Sequence, residues 1–78
     1  MTAINVNRKE IDYVGDIIAY EDVVKLAYGP DEKRMMTITY YWRRGTSDQH
    51  LEGLLWPERP PIKVRSGMVF NAYHTGGA

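Results

Sequence analysis

Seventy-eight residues with ten basic and ten acidic side chains carry no formal net charge, so no long-range field draws the chain onto a phosphate backbone or an anionic membrane. The absence of cysteine excludes a disulfide framework, a thiolate metal site and a cysteine nucleophile, and fits a reducing, cytoplasmic setting. A chain this short buries about 60–65% of its unfolded surface, which gives one modest core held by packing alone.

The amino-terminal stretch from Met1 to Val6 soon meets Asn7-Arg8-Lys9-Glu10 and lacks the apolar core of a secretory signal. No apolar run approaches the ~20 residues of a membrane span. From Ile4 to Val14, apolar residues at 4, 6, 11, 13 and 14 flank a polar turn. This predicts a hairpin in which Asn7 takes the left-handed backbone of a tight turn. After Gly15-Asp16 the period changes: Tyr20, Val23, Val24, Ala27 and Tyr28 recur at helical steps, with Glu21, Asp22 and Lys25 on the other side. Two acids suit the first turn, Ala19 is a poor N-cap, and Gly29-Pro30 stops the helix after nine or ten residues.

A polar loop, residues 30–34, leads into Met35 to Arg43, the most strand-like segment, with Met36, Ile38, Tyr40 and Trp42 on one face and Thr37, Thr39 and Tyr41 on the other. Residues 44–50 form a turn. Leu51 to Trp56, ended by Pro57 and Pro60-Pro61, reads as an edge strand, and residues 62–64 as a brief extended piece. Ser66-Gly67 turns the chain into a last strand, Met68 to Tyr73, with Met68, Phe70 and Ala72 on one side. The expected organisation is an α+β domain over residues 1–73 and a tail over residues 74–78. A hairpin, one helix as crossover, and two or three further strands is the order of a β-grasp, a mixed four- to five-stranded sheet packed on one helix.

The tail, His74-Thr75-Gly76-Gly77-Ala78, carries the most specific chemical signal. At a background of about 7% glycine, an adjacent pair arises at a given position in roughly 0.5% of chains. Two glycines suit acyl activation, because a residue without Cβ threads a narrow passage and leaves the acyl carbon open to a thiolate or an amine. Ala78 requires that a peptidase first cut after Gly77.

Ile4-Asn5-Val6-Asn7, the helix Glu21-Asp22-Val23-Val24-Lys25-Leu26-Ala27, the strand Met36-Thr37-Ile38-Thr39-Tyr40, the block Ser66-Gly67-Met68-Val69-Phe70-Asn71-Ala72 and Gly76-Gly77 together resemble the bacterial multiubiquitin group of ubiquitin-like proteins. The resemblance covers most of the chain. It implies a β-grasp and a role as a protein modifier, joined by an isopeptide bond to target proteins rather than acting as an enzyme. It also implies three partners: an activating enzyme, a conjugating enzyme, and a maturing or deconjugating peptidase of the JAB metalloprotease type. Members often carry tandem copies; this chain has no internal repeat. At about 3.3–3.6 Å per extended residue, its tail reaches only about 15 Å from the sheet.

The modifier reading assigns conjugation to Gly76 and Gly77 and processing to the Gly77–Ala78 bond, with no cofactor or metal held by the chain. His74 and Thr75 would contribute to recognition of the tail, against a reading of His74 as an exposed spacer. Arg43 and Arg44, with Lys33, Arg34, Lys63 and Arg65, form either a docking face for an acidic partner or a solvated rim. Tyr41 and Tyr73, on faces opposite the helix, border a candidate surface for a partner or for self-association. Lys9, Lys25, Lys33 and Lys63 are candidate acceptors for chain building, or ordinary surface lysines. His50 reads as solvated, and neither histidine has a second ligand at metal spacing. Two other functions fit the same architecture. A sulfur carrier would end in a thiocarboxylate, which Ala78 disfavours; a non-conjugated assembly module would use the domain surface alone.

Overall fold

A computed structural model describes residues 1–74; Thr75, Gly76, Gly77 and Ala78 lie outside the described residues. The elements run β1 (Thr2–Val6), β2 (Lys9–Tyr13), β3 (Ile17–Ile18), α1 (Tyr20–Tyr28), β4 (Met36–Arg43), β5 (His50–Leu55), β6 (Ile62–Lys63) and β7 (Val69–His74). Five strands form a mixed sheet in the order β2-β1-β7-β4-β5, and β3 and β6 form a separate antiparallel pair. β1 and β7 run parallel, while β7 and β4, β4 and β5, and β1 and β2 are antiparallel. The last strand of the chain therefore sits in the middle of the sheet.

Each element has a local cause. Asn7 and Arg8 turn the first hairpin with φ of 50° and 71°, the mirror-image geometry that matches strand twist. The helix starts without a side-chain acceptor at Ala19, but the Asp22 carboxylate accepts the Ala19 N–H at 2.8 Å, the reciprocal half of a capping box. It ends at Gly29, whose φ of 97° and N–H to the Lys25 carbonyl (2.9 Å) close the last turn. No helix of the described residues is long and apolar enough to cross a membrane.

One side of the sheet and the helix enclose the core. Ile4 and Val6, Met36 and Ile38, Leu55, and Phe70 and Ala72 meet Tyr20, Val23 and Val24 of the helix, with Met68 at the entry to β7. Period-two alternation places these strand residues on one face. The β3–β6 pair adds a wall the sequence pattern did not reveal: Ile18 is fully buried and Val64 nearly so. Two-residue strands show no alternation to read, so Ile17–Ile18 has no periodic signature. Along β4, Tyr40 and Trp42 are only half-buried, since the nine-residue helix does not extend over them. The segment after β5 covers them instead: Arg59 lies between the rings of Trp56 and Tyr40 (5.2 and 5.8 Å to the centroids), and Arg65 stacks on Trp42 at 4.8 Å.

Candidate functional site

The carboxyl end of β7, which precedes Gly76-Gly77 in the sequence, is held by side chains from two distant segments. The parallel ladder from β1 begins with the Asn5 N–H to the Met68 carbonyl (2.9 Å) and the Asn7 N–H to the Phe70 carbonyl (3.0 Å). The β1 backbone then turns away at Asn7. Its side chain takes over: Nδ2 donates to the Ala72 carbonyl at 3.1 Å, and Oδ1 accepts the Ala72 N–H at 2.8 Å. A carboxamide has the donor and acceptor of a peptide unit, so Asn7 extends the ladder by one step beyond its strand.

The helix supplies the second hold. Tyr28, its last residue, donates its hydroxyl to the same Ala72 carbonyl at 2.7 Å, and its ring stacks on His74 with centroids 5.6 Å apart. Tyr20, its first residue, accepts the Met36 N–H at 2.9 Å and directs its hydroxyl to the Met35 sulfur at 3.5 Å. Met36 and His74 are cross-strand partners, so the helix grips both strands at this end. His74 belongs to β7 rather than to the tail, one residue beyond the predicted strand end. It is half-buried, and its Nε2 is enclosed with no hydrogen-bond partner among the described residues.

Beside this end, Glu32 is clasped by Arg34. The guanidinium donates through Nε and Nη2 at 2.7 and 3.0 Å, and the Arg34 N–H adds a third bond at 3.0 Å. These bonds, the side-chain ones first, lower the Glu32 carboxyl from 4.5 to about 2, with the His74 imidazole a minor contributor. A depressed carboxylate contributes stability that is complete above 4.5 and lost as the pH falls through about 2. Because Arg34 is well exposed, that contribution is small. A carbon-detected NMR titration should find the Glu32 midpoint near 2, and in Arg34→Ala close to 4.5; an unmoved midpoint would contradict this assignment.

The remaining predicted residues are distributed rather than clustered. Tyr41 and Tyr73 both lie exposed on the sheet face away from the helix. Tyr73 pairs with Thr37 and Tyr41 with Val69, so about 13 Å of strand separates them and they form no single aromatic patch. Arg43 donates to the carbonyls of Ser47 and Thr46 (2.8 and 3.3 Å) and so braces the β4–β5 turn. Lys33 and Arg34 precede β4, Arg43 is its last residue and Arg44 follows it, so the two groups flank opposite ends of a strand about 23 Å long; the six cations do not make one face. Lys9, Lys25, Lys33 and Lys63 are all exposed. His50 stacks on Tyr41 at 6.0 Å and lies 4.0 Å from the Glu52 carboxylate.

A shallow open depression of about 460 Å³ lies at the far end of β4, lined by Trp42, Arg44, His50, Leu51 and Arg65 among others. Among the described residues no group of three or more histidine or acidic side chains is placed to hold a metal ion. Sequence reasoning missed Asn7 and Tyr28 as neighbours of Ala72. Asn7 carried a turn signal and Tyr28 a helix-face signal, and neither reports a bond to a residue 65 or 44 positions away. The chain matches no protein-family model, no curated protein and no solved structure.

Proposed function

We propose that this chain is a ubiquitin-like β-grasp modifier of the bacterial multiubiquitin type, acting in the cytoplasm. The observation that carries the reading is the central placement of β7, which ends at His74 immediately before Thr75-Gly76-Gly77. The order β2-β1-β7-β4-β5, with its parallel central pair and one helix across one face, supports the β-grasp assignment.

The chemistry needs no side chain of this protein. A peptidase hydrolyses the Gly77–Ala78 bond and frees the Gly77 carboxylate. That carboxylate attacks the α-phosphorus of ATP held by an activating enzyme, and pyrophosphate leaves. A cysteine thiolate of the activating enzyme displaces AMP to form a thioester, a thiolate of the conjugating enzyme takes over the acyl group and releases the first thiolate, and a lysine amine of the target displaces the second thiolate to form an isopeptide bond. The chain supplies the electrophile and a surface by which the enzymes recognise it.

Intact-mass measurement after incubation with ATP, magnesium, a bacterial activating enzyme and a maturing peptidase tests this reading. Loss of Ala78 followed by an adduct through Gly77 is expected. Replacement of one oxygen by sulfur identifies a sulfur carrier instead, and an unchanged mass sinks both chemistries in favour of an assembly module.

A further inference from the structure

We infer that Asn7 and Tyr28 are positioning residues for the tail: together they clamp Ala72 and fix where the chain leaves the sheet. The use of that exit point in acyl transfer rests on the modifier reading above; the clamp itself rests on geometry. Both hydrogen-bonding groups of the Ala72 peptide backbone are taken by side chains. Its N–H goes to Asn7 Oδ1 at 2.8 Å, and its carbonyl receives Asn7 Nδ2 at 3.1 Å and the Tyr28 hydroxyl at 2.7 Å. Upstream, the Met68 and Phe70 carbonyls are held by the β1 backbone at 2.9 and 3.0 Å. The ladder has run out of backbone at residue 72, and without these two side chains β7 would lose its β1-side partners two residues earlier.

The clamp also joins three parts of the fold at one point: the first turn, the helix end and the last strand. The His74 ring rests on the Tyr28 ring, so the same tyrosine holds the strand on either side of Tyr73. Enzymes that act on a short tail must find its start at a fixed place relative to the surface they dock on. A chain frayed back to Phe70 would present its glycines over a wide cone and cost productive encounters. The clamp keeps β7 held on its β1 side through Ala72, two residues short of its end at His74.

Two substitutions isolate the clamp from the fold. Asn7→Gly removes the carboxamide while keeping a residue that adopts the observed φ of 50° without strain. Tyr28→Phe removes the hydroxyl and leaves the ring that stacks on His74. In the double variant, amide hydrogen exchange followed by NMR should be at least about tenfold faster at Ala72. The Asn5 amide, bonded to the Met68 carbonyl, should keep its protection. Equal acceleration at both amides would mean a merely structural role, and no change at Ala72 would mean no clamp; either result overturns the inference. In cleavage after Gly77 by the maturing peptidase, the double variant should show KM raised several-fold with kcat unchanged. An unchanged KM overturns the positioning role even if Ala72 exchanges faster. If the wild-type chain is neither cleaved nor conjugated, the modifier reading fails while the exchange result still decides the clamp.

Discussion

Phe70→Ala should leave much of the population unfolded at moderate temperature. Phe70 is fully buried on the central strand, within the cluster that includes Ile4, Val6, Val23 and Ile38. Truncating a buried phenylalanine costs about 3–5 kcal/mol, transfer and cavity contributions together. A domain of 78 residues has a total of about 4–12 kcal/mol at ordinary stability per residue. The loss is thus a large share of the whole, and at about 4–8 °C per kcal/mol the midpoint of a circular-dichroism melt should fall by about 12–40 °C. A fall of less than about 5 °C would contradict the placement of Phe70 at the centre of the core.

Gly77→Ala should reduce conjugate formation by about 100-fold or more while leaving the melt nearly unchanged. The added Cβ meets the walls of any passage shaped for glycine and crowds the flank from which a thiolate or amine approaches the acyl carbon; misplacement by about 1 Å at a reacting centre costs on the order of 100-fold. The described core is assembled from residues between Ile4 and Ala72, so the substitution should fall in the class that changes stability by no more than about 0.5 kcal/mol. Conjugates resolved by denaturing gel, read beside a thermal melt of the same preparation, check both halves. Full conjugation by the variant would remove Gly77 from the reaction; a large fall in midpoint would place it in the fold.

Much of the sheet was legible because its residues carry period-two signals. The face Met36, Ile38, Tyr40 and Trp42 and the face Met68, Phe70 and Ala72 were readable directly, as were the Asn7 turn and the Gly29 stop. The short β3–β6 pair was not, because two residues have no period and their partners are forty-odd positions apart. The last strand runs one residue past its expected end, to His74, for a related reason. Histidine beside threonine and glycines reads as tail, yet the strand is prolonged through Tyr28, whose ring lies under it. The most informative case is Asn7. Its backbone role as a turn residue was readable from composition, whereas its side-chain role depends on Ala72 being brought beside it by the parallel β1–β7 pairing. The glycine pair was legible only as chemistry, since nothing in periodicity bears on it.

The central claim, that this chain is joined to other proteins through Gly77, is tested most directly by sequencing the linkage itself. Conjugates formed with ATP, activating and conjugating enzymes and the maturing peptidase would be digested and the branched peptides fragmented by mass spectrometry. The expected result is a lysine Nζ carrying an acyl group that ends in Gly76-Gly77, with Ala78 gone. Linkage through any other residue, or a tail that retains Ala78 while the enzymes process a known substrate, would contradict the account.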